Sequence, residues 1–172
     1  LDKDSKRLRY LILAGVLVAM AVVLKTFAIT TPEFRFSFYD IPLFLGGMIL
    51  GPGLGLIMGF ATDWLYVMVH PMAFSFNLMT ISAMLWGFMG GLFFYNRTQK
   101  FNVFKVTFII ILTSLLTFSL NSVQLYIWTG SGMIAQIPFR LLTTVIKWPI
   151  QVIVLKVIHT RILVHTELAP FL

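Results

Sequence analysis

The chain has 172 residues, of which 59% are hydrophobic and 11% charged, with a formal net charge of +7 and a mean hydropathy of +0.93. Soluble domains carry about 25% charged residues, so these charges cannot cover a water-facing surface and an integral membrane protein is the class that remains. With no cysteine, disulfides, thiolate metal sites and a Cys nucleophile are excluded.

A spanning helix needs about 20 mostly apolar residues. Residues 10–29 meet that, with Lys25 near one end, where its stem is expected to snorkel to the interface. The run follows a basic start, as in a signal peptide. It is long enough to span, and no small-residue cleavage site follows, so a retained span is expected. Residues 41–51 are apolar but short. As a helix they cover roughly half of a ~30 Å core, so they either recruit part of the preceding stretch or stop inside the protein. GPGLG at 51–55 is a turn signal. Further spans are expected at 54–69, 75–95, 103–128 and 138–163, separated by HPMAF, the polar NRTQK and a TGSG loop, with Pro138 opening the last. The expectation is an all-α membrane protein, a six-transmembrane-helix bundle forming one integral membrane domain over 1–172.

Lys/Arg enrichment marks cytoplasmic loops. Lys3, Lys6, Arg7 and Arg9 precede the first span; Arg97, Lys100 and Lys105 lie between the fourth and fifth; Lys156 and Arg161 close the sixth. With six spans these regions share one side, so N- and C-termini are expected in the cytoplasm. The same asymmetry accounts for most of the net charge without nucleic acid. PEFRFSFYDIP at 32–42 then faces outside. If extended, it puts Phe34, Phe36 and Phe38 on one side, with its charges facing water and its rings roofing a pocket. The plainer alternative is an interfacial aromatic belt.

Gly15 and Ala19 form a small-xxx-small pair on the first span. Such pairs let helices approach closely, either within the protein or on a partner subunit. The glycines at 46, 47, 51, 53, 55, 59, 87, 90 and 91 are expected mostly to pack helices.

Polar groups at membrane depth are functional candidates by default. Asp63 sits mid-way along the third span beside Trp64, and Asn77 is near the outer end of the fourth. Asn121, Gln124 and Trp128 follow one another at one-turn intervals on the fifth; Arg140, Lys147 and Gln151 share a face of the sixth. Singly, an amide can just as well bond a neighbouring helix, and Arg140 or Lys147 could pair with Asp63 or Asp40. As a set, with the aromatics at 34–39, they compose a small-molecule pocket, apolar and ring-lined with a few placed polar groups. His70, His159 and His165 are scattered, so no metal or haem site is expected. No phosphate-binding Gly-rich loop and no Ser–His–Asp set appears, so neither an enzyme nor a resident cofactor is expected.

LILAGVLVAMAVVL, FRFSFYDIPLFLGGMILGPGLGLIMGFATDWLYVM, FSFNLMTISAMLWGFMGGLFF and IPFRLLTTVIKWP together resemble the substrate-binding S components of energy-coupling factor vitamin transporters. The later pieces look most like the folate-specific member. The resemblance implies a six-helix bundle of the S-component type in a bacterial plasma membrane, with an outward-facing pocket under the first loop. Its partners would be a transmembrane coupling protein and two cytoplasmic ATPase subunits that hydrolyse the ATP. It places Gly15 and Ala19 where the family's small residues meet the coupling protein, with glycine in place of the commoner alanine. For a folate, the candidates for the pterin edge are Asp63, Asn77, Asn121 and Gln124. Phe36, Phe38, Trp64 and Trp128 would stack, and Arg35 or Arg140 would meet the anionic glutamyl tail. Another vitamin such as riboflavin, or a scaffold subunit without ligand, remain the alternatives.

Overall fold

The computed structural model describes residues 3–30, 35–70, 77–94 and 102–160. Most of HPMAF, all of NRTQK, Phe34 and the chain from Arg161 onward lie outside these residues. The described residues are overwhelmingly helical: α1 Lys3–Thr26, α2 Asp40–Leu50, α3 Pro52–Val69, α4 Leu78–Phe94, α5 Val103–Thr129 and α6 Ile137–Ile158. Two two-residue strands, β1 Ile29–Thr30 and β2 Arg35–Phe36, pair antiparallel. Among the described residues, three stretches are long and apolar enough to cross a membrane, namely Arg7–Thr26, Pro52–Val69 and Val103–Ile158. The chain is a multi-pass membrane protein.

The fold resolves into two compact units. The first comprises Leu1–Ala28 and Ser37–Tyr95, the second Ile29–Phe36 and Asn96–Leu172.

In the first unit α2 is the central element. Ten of its eleven residues are buried, all but Ile41. At about 1.5 Å per residue it is too short to span, and its burial shows why it need not: α1, α3 and α4 pack around it, and Phe44 meets Trp86 edge-on at 6.3 Å. The chain then reverses at Gly51, whose φ of 93° lies in the region open to glycine. Pro52 starts α3 at once, where its missing N–H costs nothing.

The glycines explain how α2, α3 and α4 fit. A Cβ on Gly47, Gly55, Gly59, Gly87, Gly90 or Gly91 would clash with backbone of a neighbouring helix. Gly47 and Gly55 both lie against the Gly87 carbonyl, and Gly90 against that of Phe44. Backbone rests on backbone here, the close approach small residues permit in a membrane protein. Gly15 differs: nothing lies within 4 Å of the position its Cβ would take.

In the second unit α5 packs against α6, joined by a 3-10 helix over Gly130–Gln136. The TGSG segment is therefore part of a wound turn. Gly130, at φ 66°, ends α5 with its N–H on the Tyr126 carbonyl, and the chain continues in tighter i→i+3 form. Along α6 the less exposed residues include Arg140, Thr143, Thr144, Lys147, Trp148, Gln151 and Leu155, which form a helical stripe, with Val152, Val154 and Ile158 beside it, while Leu141, Leu142, Val145, Ile146 and Ile153 are exposed. Apolar side chains thus face outward and the polar ones inward, as lipid on the outside requires. Pro149 lies inside α6, so the Val145 carbonyl one turn back loses its usual donor.

Candidate functional site

Asp63 occupies a defined place in the first unit. Its Oδ1 pairs with the Lys25 ammonium, and its Oδ2 accepts from Thr80 Oγ1 at 2.5 Å. Lys25 is 6% and Asp63 4% exposed. Lys25 therefore does not snorkel, because a partner on α3 holds it inside. The Tyr66 and Tyr39 rings flank the ammonium at 4.7 and 5.2 Å, within cation–π range. Both Asp63 oxygens thus already have protein partners, on α1 and α4. Trp64, one residue on, turns to the outer surface at 40% exposure and meets Phe60 edge-on at 5.5 Å.

Asn77 caps α4. Its Oδ1 accepts from the backbone N–H of Met79 at 2.9 Å and of Thr80 at 3.1 Å. That satisfies helix-start donors otherwise left without partners. The Thr80 hydroxyl lies 3.5 Å from the same oxygen, but its single proton goes to the much closer Asp63.

The Phe-rich stretch is only locally extended. Among the described residues the strand is Arg35–Phe36, and Tyr39 already has helical angles. Ser37 is buried and donates to the Leu24 carbonyl at 2.8 Å, while Phe36 and Phe38 are half-buried. Asp40, expected in water, is 2% exposed. It opens α2, where a carboxylate is favoured by the helix N-terminus.

The second unit holds the other candidates. The hydroxyls of Thr113 and Thr117 are buried but self-satisfied, bonding the carbonyls of Ile109 and Thr113 one turn back at 2.8 and 2.9 Å. Gln124 is buried, Asn121 half-buried, and Trp128 52% exposed, so the one-turn series continues out of the protein at Trp128. Arg140 is half-buried; its carbonyl accepts from the hydroxyls of Thr143 and Thr144 at 2.9 and 2.8 Å. Several buried side-chain atoms of this unit have no hydrogen-bond partner among the described residues, and four of them matter here. They are Asn121 Oδ1 and Ser122 Oγ on α5, and Arg140 Nη1 and Trp148 Nε1 on α6. In the first unit Thr62 Oγ1 is in the same state. Buried polar atoms normally find partners, so a group on two packed helices is where a ligand could supply them. Ser122 and Trp148 escaped the sequence reading because serine and tryptophan are ordinary in membrane helices.

On α1, Gly15 and Ala19 are exposed, flanked by exposed Leu11, Ile12, Val16 and Met20. Among the described residues this small pair packs no helix of its own unit. No group of three or more His, Cys, Asp or Glu that could hold a metal occurs among the described residues.

Comparison with known proteins gives one consistent picture. Residues 9–159 match the family model described as "ECF transporter, substrate-specific component". A protein named Folate transporter FolT, from Clostridium novyi (strain NT), is 32% identical over 152 residues, which is 87% of this chain and 87% of that protein. The fold is similar to a crystal structure of FolT bound with folic acid, at a TM-score of 0.77 and 31% identity, covering 88% of this chain and 93% of the other. These relatives are transporter components, and the chain belongs to the family of substrate-specific components of ECF transporters.

Proposed function

We propose that the chain captures folate at the outer membrane face and, with partner subunits, delivers it to the cell interior. The observation that carries the reading is the similarity, along nearly the whole chain, to a FolT structure bound with folic acid. The unpartnered atoms of the second unit support it chemically. Asn121 Oδ1 accepts, Trp148 Nε1 and Arg140 Nη1 donate, and Ser122 Oγ does either. A pterin carries donors and acceptors along one edge, and such a set can meet them. Arg140 is the group for the glutamyl carboxylates, since its planar fork matches a carboxylate and it stays charged. Gln124, on the buried face of α5, joins Asn121 in reading the ring. Phe36 and Phe38 offer faces for stacking, and Arg35 in β2 is a second cation for the tail.

The same reading places six spans in a bacterial plasma membrane with both termini cytoplasmic, supported by the clustering of Lys and Arg before the first span and around the fourth and fifth. It assigns the driving energy to a transmembrane coupling protein and two ATPase subunits. Gly15 and Ala19, exposed on α1, are the docking surface for the coupling protein.

The test is mass spectrometry of small molecules released from the purified chain with no ligand added, followed by titration with folate, riboflavin and other vitamins. Folate released, or bound selectively, supports the reading. Selective binding of another ring vitamin would overturn the folate assignment.

A further inference from the structure

The ion pair of Lys25 and Asp63 has no part in the ligand contacts proposed above. It joins the end of α1 to the latter half of α3, and through Thr80 to the first turn of α4. Helix packing alone does not explain it. Two buried charges cost desolvation, and apolar residues of like volume often hold helices as well or better. Its surroundings are more informative. The chain leaves α1 after Thr26 and returns at Ser37. There Ser37 bonds the carbonyl of Leu24, and Tyr39 sets its ring beside the ammonium of Lys25. Both ends of the connection therefore meet at two adjacent residues, one of which is held by Asp63. Tyr66, on the other flank of the ammonium, is itself stacked on His70 at 4.3 Å.

We propose that Lys25, Asp63 and Thr80 are positioning residues. The pair fixes the ammonium against which Tyr39 registers, and so clamps together the two ends of the α1–α2 connection. Phe36 and Phe38 stand on either side of the clamped Ser37, so the clamp sets where both rings begin. In its bearing on folate release the inference rests on the proposed function; as a statement about the connection it does not.

The experiment uses the full chain in lipid nanodiscs. Lys25→Met with Asp63→Leu removes both charges of the pair, so neither is left buried alone. Amide hydrogen exchange is followed without ligand in peptides covering 27–30 and 35–39, beside the thermal midpoint. The expected result is a retained midpoint, exchange about tenfold faster in those peptides, and no change in α3 and α4. Unchanged exchange at a retained midpoint, or a uniform rise through all helices, overturns the proposal. If the double variant does not fold, Ser37→Ala with Tyr39→Leu keeps the ion pair and removes what it clamps. It should raise exchange in the same peptides, and a failure to do so overturns the proposal equally. With folate bound, the clamp variants should dissociate ligand about tenfold faster at an unchanged association rate. Faster exchange in a chain that never binds folate would leave the clamp standing and remove the folate reading.

Discussion

Lys25 and Asp63, 38 residues apart in the chain, form an ion pair from which water is all but excluded, with Thr80 on the second carboxylate oxygen. Removing one partner leaves the other charge buried alone. Lys25→Met should therefore lower stability by about 3–5 kcal/mol, well beyond an ordinary surface substitution. Thermal unfolding of the detergent-solubilised chain measures it, and the accompanying change Asp63→Leu should restore most of the loss.

Arg140 is assigned to the anionic tail. Arg140→Ala should weaken folate by about 2 kcal/mol, roughly 30-fold, while a pterin without the glutamyl tail loses little. Isothermal titration of both ligands makes the comparison, and equal losses would remove the tail assignment.

Asn121 and Thr113 lie two turns apart on α5 and behave oppositely. Thr113 spends its hydroxyl on the Ile109 carbonyl, whereas Asn121 Oδ1 meets nothing among the described residues. Asn121→Leu should cut folate affinity about tenfold with the fold intact, for loss of one hydrogen bond to a buried ligand group. Thr113→Val should leave affinity unchanged.

Gly87 lies against the backbone of Gly55, and a methyl there has no side chain to push aside. Gly87→Ala should cost about 1–3 kcal/mol or more. Gly15→Ala, at a position open to 4 Å, should be neutral or slightly stabilising. Thermal midpoints of the two single variants give the comparison.

Ala19 is the complementary case. Ala19→Leu should leave folate binding by the isolated chain unchanged and reduce its recovery with co-expressed coupling and ATPase subunits. Co-purification and uptake assays separate the two effects.

How much of this was legible in the sequence varied with the range of the interaction. The helices were legible because an apolar run is a local property. The shortness of α2 left two outcomes open, recruitment of the preceding stretch or a stop inside the protein, and its burial shows the second. The glycine-rich spans were legible as packing surfaces, and the isolation of Gly15 from that packing was not, since spacing does not say which face meets a neighbour. The partner of Asp63 was out of reach for the same reason: Arg140 and Lys147 are the cations its depth suggests, Lys25 is expected at the interface, and only the fold brings Lys25 to it. Asn77 was within reach, since an Asn just before an apolar helical run is a capping signal, but its place in a greasy segment drew attention to ligand chemistry instead. Trp128 continues the spacing of Asn121 and Gln124, yet at the end of α5 the surface that buries the series has run out.

The glycine contacts of α2, α3 and α4 also limit how this protein can move. Where a carbonyl of one helix rests on a Cα of the next, sliding by a single residue would drive a side chain into the space of a hydrogen atom. No intermediate register is accessible at ordinary thermal energies. These three helices must travel through any transport cycle as one casting.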